Sequence, residues 1–106
     1  MPVIDIEDQE HFNKTVDSET LVLVDYYADW CPPCRAFAPI LEALSEEFEG
    51  QVTFGKVNVD DNMEIAEEQA IQCMPTFIFY KKGQQLDRVE GANQAAVCQL
   101  IARHKN

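Results

Sequence analysis

The apolar run Leu21–Tyr27, with the sequence LVLVDYY, most restricts the folds open to this chain. Strands that show a polar face on alternate residues lie at a sheet surface, whereas runs rich in β-branched and aromatic residues without such a face are covered on both sides. We therefore expect this run to be a central strand between two layers of helices. Asp25 is the one residue in it that does not fit an apolar setting.

The segments around this run alternate between strand and helix patterns. From residue 33 to about residue 49 apolar residues recur every three or four positions, which predicts an amphipathic helix that Pro39 should kink. The predicted strands cover residues 3–6, 21–27, 52–59, 76–80 and 86–90, and the predicted helices cover residues 8–16, 33–49, 63–70 and 93–105. Strands separated by helices pair in parallel, and the last two strands form a hairpin. The order βαβαβαββα predicts an α/β fold with a mixed five-stranded central sheet and helices on both faces.

Length and charge limit the classes of protein. The 106 residues contain no linker or repeat, which predicts a single domain over residues 1–106. The formal net charge of −11 disfavours nucleic acid and anionic membrane as partners, and no apolar run approaches the roughly 20 residues of a membrane span. Residues 1–5 lack a signal-peptide pattern, so we expect a cytoplasmic protein, although a transit peptide removed earlier would leave no trace.

The sequence Cys31-Pro32-Pro33-Cys34 lies between the central strand and the start of the best predicted helix. A helix start offers free N–H groups and the positive end of the helix dipole, which favour a thiolate at Cys31. Cys34 should lie one turn further on, within disulfide reach and better shielded from solvent. This spacing suits a pair in which one thiol attacks and the other resolves.

The cysteine pair is compatible with three kinds of site. A zinc site needs two further ligands, but Cys73, Cys98, His11 and His104 are scattered singly, so we expect no metal. A structural disulfide would be easily reduced in a cytosol. A redox-active dithiol is favoured. We expect Cys98 to be a small packing residue and both histidines to face solvent without a partner.

Several motifs in register carry a family resemblance. They are residues 24–35 (VDYYADWCPPCR), residues 38–39 (AP), residues 56–60 (KVNVD), residues 74–77 (MPTF) and residues 91–92 (GA). Together they resemble the thioredoxin family over essentially the whole length. The resemblance implies a thioredoxin fold and a general protein-disulfide reductase, an oxidoreductase that serves electron transport and cell redox homeostasis. It implies Cys31 as nucleophile, Cys34 as resolving thiol, disulfide-bearing proteins as substrates, an NADPH-dependent thioredoxin reductase as partner and no bound cofactor.

Two charged residues are candidates for proton transfer. A carboxyl group in an apolar strand should have its pKa raised by desolvation, so Asp25 could take the proton of Cys34. The alternatives for Asp25 are a solvent-wetted edge position or a bend in the strand. Lys56 resembles the lysine that partners this aspartate in thioredoxins, and a solvated lysine at a strand end explains it equally well.

Met74-Pro75 precedes a predicted strand, where proline cannot donate to the ladder. The resemblance implies a cis bond facing the dithiol, whereas a trans turn proline is commoner in general. The expected substrate-binding residues are Trp30, Pro32, Pro33, Met74, Pro75, Thr76, Gly91 and Ala92, which would form a small apolar platform. If Trp30 were half-buried core instead, the platform would lose its main aromatic residue.

The chain departs from its family in two places. Most thioredoxins have Gly-Pro between the cysteines, whereas Pro32 and Pro33 here offer no N–H, so the Cys34 amide, later amides and the dipole must stabilise the Cys31 thiolate. We expect Pro32 to tune the reduction potential or partner choice without abolishing activity. Cys73 resembles an extra cysteine that forms intermolecular disulfides in many animal thioredoxins. The sequence favours a monomer with a free thiol there, and leaves open a dimer linked through Cys73.

Two other functions are compatible with the same fold. A protein-disulfide isomerase or oxidant usually carries a histidine between its cysteines, and residues 103–106 (RHKN) do not resemble an endoplasmic-reticulum retention tag. A redox-independent binding module would use the fold for contacts alone. The cysteine pair and its surroundings favour the reductase.

Overall fold

The computed structural model describes residues 3–106. The strands are β1 (Val3–Asp5), β2 (Leu21–Tyr27), β3 (Val52–Asn58), β4 (Thr76–Lys81) and β5 (Gln84–Glu90), and the helices are α1 (Gln9–Val16), α2 (Pro32–Glu47), α3 (Met63–Glu68) and α4 (Gln94–His104). The predicted element order is confirmed. The sheet has the order β1-β3-β2-β4-β5, with β1, β3 and β2 parallel and β4 and β5 antiparallel to their neighbours.

The central strand β2 separates two apolar cores, as its sequence predicts. Leu21 and Leu23 belong to the core that includes residues of α2 and α4. Val22 and Val24 belong to the core on the other face, with residues of α1 and α3. Because side chains alternate along a strand, Asp25 lies on the same face as Leu21 and Leu23. The carboxyl group is thereby placed on the α2 side of the sheet.

Local sequence signals set the ends of several elements. The Asp8 side chain caps α1 by accepting a hydrogen bond from the His11 N–H at 2.8 Å, as short polar residues at helix starts commonly do. The hairpin between β4 and β5 turns at Lys82 and Gly83, which both have positive φ. Positive φ at both turn residues matches the right-handed twist of the strands. Helix α2 continues through Pro39.

The prediction of unpartnered histidines is wrong. His104 Nε2 lies 2.8 Å from Asp87 Oδ2, which joins the end of α4 to β5. His11 Nδ1 accepts a hydrogen bond from the Glu7 N–H at 3.1 Å. The first contact joins residues 17 positions apart, so no local sequence pattern indicates it.

Within residues 3–106, no helix has both the length and the apolar composition needed to cross a membrane.

Candidate active site

The cysteine pair is built into the first turn of α2. Cys31 is the N-cap of the helix, and Pro32 and Pro33 occupy its first positions, where a missing N–H leaves no intrahelical bond unmade. The Cys34 N–H donates to Cys31 Sγ at 3.2 Å. The two cysteines form a disulfide, with their Cα atoms 5.2 Å apart. The Cys34 amide therefore takes the role expected of it, and the N-terminal end of α2 points at Cys31.

The expected difference in shielding between the two cysteines is absent. Cys31 and Cys34 are each only 4% exposed. Ala28 is fully buried with them, and Met74 and Val59 pack against this small cluster. Residues distant in sequence therefore cover Cys31 as completely as Cys34.

A cis peptide bond between Met74 and Pro75 lies next to the disulfide, which confirms the expected isomer. Cys31 Sγ lies 3.7 Å from the Met74 carbonyl oxygen. The Thr76 hydroxyl donates to the Cys73 carbonyl at 2.7 Å, and the Gly91 N–H donates to the Pro75 carbonyl at 2.8 Å. These bonds hold the segment around Pro75 from both sides, and Thr76 is fully buried in doing so.

Trp30 is an exposed aromatic residue beside the disulfide. Its side chain is 63% exposed, so the alternative of a half-buried core residue is wrong. The Trp30 Nε1–H donates to Asp60 Oδ2 at 2.8 Å, which fixes the orientation of the ring. Pro32, Pro33 and Ala92 are exposed, whereas Met74 and Gly91 are partly exposed and Pro75 is buried. An apolar surface therefore extends from the Trp30 ring to the edge of the disulfide.

Asp25 is a buried carboxyl group without a hydrogen-bond partner on one oxygen. The residue is 3% exposed, so the alternative of a solvent-wetted edge is wrong. Oδ1 is buried and makes no hydrogen bond within residues 3–106. Burial raises the pKa of Asp25 from its ordinary value of 3.8 to about 7, against the opposing charge of Lys56. A group with this pKa exchanges its proton readily near neutral pH.

Lys56 lies opposite Asp25 in the parallel register of β2 and β3. Its Nζ, however, is 3.6 Å from Asp5 Oδ1 and 5.6 Å from the centre of the Tyr27 ring. The expected partnership with Asp25 is therefore electrostatic and lacks a direct ion pair in the described part of the chain. The reason is that Asp5 on the neighbouring strand β1 competes for the same ammonium group.

The two remaining cysteines stand apart from the disulfide. Cys73 is a free, exposed thiol, with its sulfur 3.8 Å from the Thr76 hydroxyl. Cys98 is a free, partly buried thiol that packs against the core under α4, as expected of a small packing residue. Among residues 3–106, no three side chains of the metal-ligating types converge as a metal site would require.

Sequence reasoning missed two polar contacts that hold the site's surroundings. Asp60, which is distant from Trp30 in sequence, orients the Trp30 ring. On the other face of the sheet, Tyr26 and Tyr80 join their hydroxyls at 2.6 Å, and the Tyr80 hydroxyl donates to Gln69 Oε1 at 2.7 Å. The tyrosines in the central strands β2 and β4 could have indicated this contact, because the hydroxyl group of a buried tyrosine needs a hydrogen-bond partner.

A mixed sheet that carries a Cys-X-X-Cys disulfide at a helix start, facing a cis-proline, defines the class of thiol–disulfide oxidoreductases. The family model described as Thioredoxin matches residues 3–103. The chain belongs to the thioredoxin family.

Known proteins agree with this assignment. The thioredoxin of Ictalurus punctatus is 42% identical over 106 residues, which cover 97% of this chain and 99% of the relative. A peptide-N(4)-(N-acetyl-beta-glucosaminyl)asparagine amidase of Caenorhabditis briggsae is 43% identical over 107 residues. The match covers 98% of this chain but only 18% of the length of that protein. The solved structure of Malassezia sympodialis thioredoxin has a TM-score of 0.93 at 35% identity, covering 98% of this chain and 91% of that one.

Proposed function

We propose that this chain is a dithiol electron carrier that reduces disulfide bonds of other proteins and is reduced again by an NADPH-dependent thioredoxin reductase. The observation that carries the proposal is the Cys31–Cys34 disulfide at the start of α2, with the Cys34 N–H on the Cys31 sulfur. Thiols in this setting have lowered pKa values and act as nucleophiles. No cofactor is needed, because the two sulfurs themselves hold and release the electron pair.

In the first step the Cys31 thiolate attacks one sulfur of the substrate disulfide. A bond forms between Cys31 Sγ and that sulfur, the substrate S–S bond breaks, and the other substrate sulfur leaves as a thiolate. The Cys34 amide and the positive end of the α2 dipole stabilise the attacking thiolate. Pro32 and Pro33 stiffen the loop and leave this single amide as the local donor.

In the second step Cys34 resolves the mixed disulfide. Cys34 loses its proton and attacks Cys31 Sγ, so that the Cys31–Cys34 bond forms and the reduced substrate leaves as a thiolate. Asp25 is the proposed acceptor of the Cys34 proton, since it is buried nearby with a pKa of about 7. Lys56, opposite Asp25, favours the carboxylate that results. Over both steps, two electrons pass from the two cysteine sulfurs to the substrate disulfide. The Cys31 proton is lost to solvent before the attack and the Cys34 proton goes to Asp25, and the two substrate thiolates take up protons from solvent.

The apolar surface around the disulfide is the proposed docking platform. Its residues are Trp30, Pro32, Pro33, Met74, Pro75, Gly91 and Ala92, and Thr76 holds the loop beneath them. An extended substrate segment can pair with the backbone near Met74, and this pairing accepts many substrate sequences because it contacts the main chain.

We propose the cytoplasm as the location, a monomer as the working state and Cys73 as an exposed thiol available for regulation.

Insulin reduction, followed as turbidity, tests the proposal with four proteins. Wild type and the control variant Cys98→Ser should reduce insulin alike, because Cys98 packs under α4. Cys31→Ser should be inactive, and Cys34→Ser should accumulate a mixed disulfide that a non-reducing gel detects. Equal activity of Cys31→Ser and wild type would refute the proposal, and partner binding retained without any reduction would favour a binding module. A wild type that oxidises dithiols faster than it reduces disulfides would favour an isomerase-type oxidant.

A further inference from the structure

A cavity of about 380 Å³ lies beside α2 and is bordered by Cys34. Its lining includes Asp25, Cys34, Ala38, Pro39, Leu41 and Lys56, and we name it the Asp25 cavity. No residue of the docking platform as defined above lines it in residues 3–106. The Asp25 cavity is therefore lined by a different set of residues from the docking platform.

At the polar end of the Asp25 cavity, the Asp25 carboxyl group has an unsatisfied acceptor. Asp25 lines the cavity and is only 3% exposed, and no group of the described chain donates a hydrogen bond to its buried Oδ1. An unsatisfied buried acceptor costs about 1–3 kcal/mol, so a donor placed there is favoured. The walls formed by Ala38, Pro39 and Leu41 are apolar and offer water few further hydrogen bonds. Displacing poorly bonded water from such walls favours an apolar ligand.

Charge narrows the class of ligand. Asp29 and Glu42 line the cavity together with Arg35 and Lys56, so charges of both signs surround Asp25. Neither an anion nor a cation is selected by this arrangement, and either would lose hydration on entry. We propose that the Asp25 cavity is a binding site for a small uncharged molecule with an apolar body and one O–H or N–H group that donates to the Asp25 carboxyl group.

Occupancy of this site should control the second step of exchange. This consequence rests on the proposed function, in which Asp25 takes the Cys34 proton. A donor bound to the Asp25 carboxyl group, in the cavity that Asp25 and Cys34 both line, occupies the acceptor and blocks transfer of the Cys34 proton. Attack by Cys31 does not use Asp25 and should proceed unchanged. The mixed disulfide between Cys31 and substrate should then persist until the ligand leaves.

Binding is tested first, on the oxidised protein, with 4-methylphenol as the probe. The matched probe 4-methylanisole has the same ring and no donor, and should bind at least fivefold more weakly in a titration followed by NMR chemical shifts. Ala38→Leu should weaken 4-methylphenol at least fivefold by filling the cavity. Ala43→Leu is the control, because Ala43 is also an exposed alanine of α2 and lies outside the cavity lining. Equal affinities for the two probes, or an equal loss of 4-methylphenol affinity in the two variants, would overturn the proposal that the Asp25 cavity is a binding site.

Regulation is tested next, by quenching the reaction of reduced protein with a disulfide peptide at successive times. At ten times its dissociation constant, 4-methylphenol should lengthen the lifetime of the mixed disulfide about tenfold and leave its rate of formation within twofold. An unchanged lifetime with the probe bound refutes regulation. If wild type without probe forms no mixed disulfide, the proposed function fails, while the binding titration still decides whether the site exists.

Discussion

Replacing Asp25 with asparagine removes a buried ionisable group while keeping its size and polarity. Asp25 is 3% exposed, and burial raises its pKa from 3.8 to about 7. A raised carboxyl pKa means that the folded state binds the proton more tightly than the unfolded state does. The free energy of unfolding of wild type should therefore depend on pH through this residue, and that dependence should vanish in Asp25→Asn.

The sign and size follow from the two pKa values. Between about pH 4 and pH 7 the folded chain keeps the Asp25 proton and the unfolded chain has lost it, so stability falls as pH rises. Each pKa unit corresponds to about 1.4 kcal/mol. From pH 5 to pH 8 wild type should lose about 3 kcal/mol through Asp25, most of it below pH 7 and the remainder above, because Asp25 is half deprotonated at pH 7. The stability of Asp25→Asn relative to wild type should thus rise by about 3 kcal/mol between pH 5 and pH 8.

Urea unfolding of the oxidised proteins at pH 5, 6, 7 and 8 measures this difference. Asp61→Asn is the matched control, because Asp61 is exposed and the substitution is the same. Its stability relative to wild type should stay constant within about 0.5 kcal/mol, the usual range for surface changes. The difference in free energy of unfolding between Asp25→Asn and wild type should change with pH. A change of less than about 1 kcal/mol between pH 5 and pH 8, or an equal change for Asp61→Asn, would refute the argument from burial.

Three further predictions concern the surroundings of the disulfide. Pro32→Gly should retain insulin reduction and shift the reduction potential measured against glutathione, because the Cys34 amide still reaches Cys31; loss of activity would contradict this. Trp30→Ala should raise the KM for a protein disulfide about fivefold or more, because losing an exposed aromatic anchor costs more than about 1 kcal/mol of binding free energy. The same variant should reduce a small-molecule disulfide as wild type does. Equal effects on both substrates would show that Trp30 is not part of the docking platform. Tyr80→Phe should lower the free energy of unfolding by about 1–3 kcal/mol, because the Tyr26 hydroxyl and Gln69 Oε1 lose their partner; a urea midpoint equal to that of wild type would show that water replaces the bonds.

The sequence predicts the fold well because its signals are local and agree with one another. The apolar run of β2 and the helical spacing in α2 each identify an element and the faces it buries. Alternation of strands and helices then fixes parallel pairing for β1 to β3 and leaves the hairpin at the other edge. The motif spacing also locates Cys31 and Cys34 at a helix start without any tertiary information.

Contacts between distant segments could not be predicted in the same way. Lys56 faces Asp25 in register, but its ammonium group pairs with Asp5 because β1 lies alongside β3. His104 meets Asp87 only once α4 packs near β5. Hydrophobic periodicity tells which face a residue takes and leaves open which charged neighbour is within 4 Å. The partners of Trp30 and the equal shielding of the two cysteines depend on tertiary packing for the same reason.

The most direct test of the redox couple is an equilibrium titration in dithiothreitol buffers, followed by alkylation and peptide mapping. Cys31 and Cys34 should become alkylated together as the buffer becomes reducing, with a tenfold change in their ratio for about every 30 mV, as expected of a two-electron couple. Cys73 and Cys98 should react independently of that transition. Cysteines 31 and 34 that stay unmodified at every potential, or that respond separately, would contradict the account.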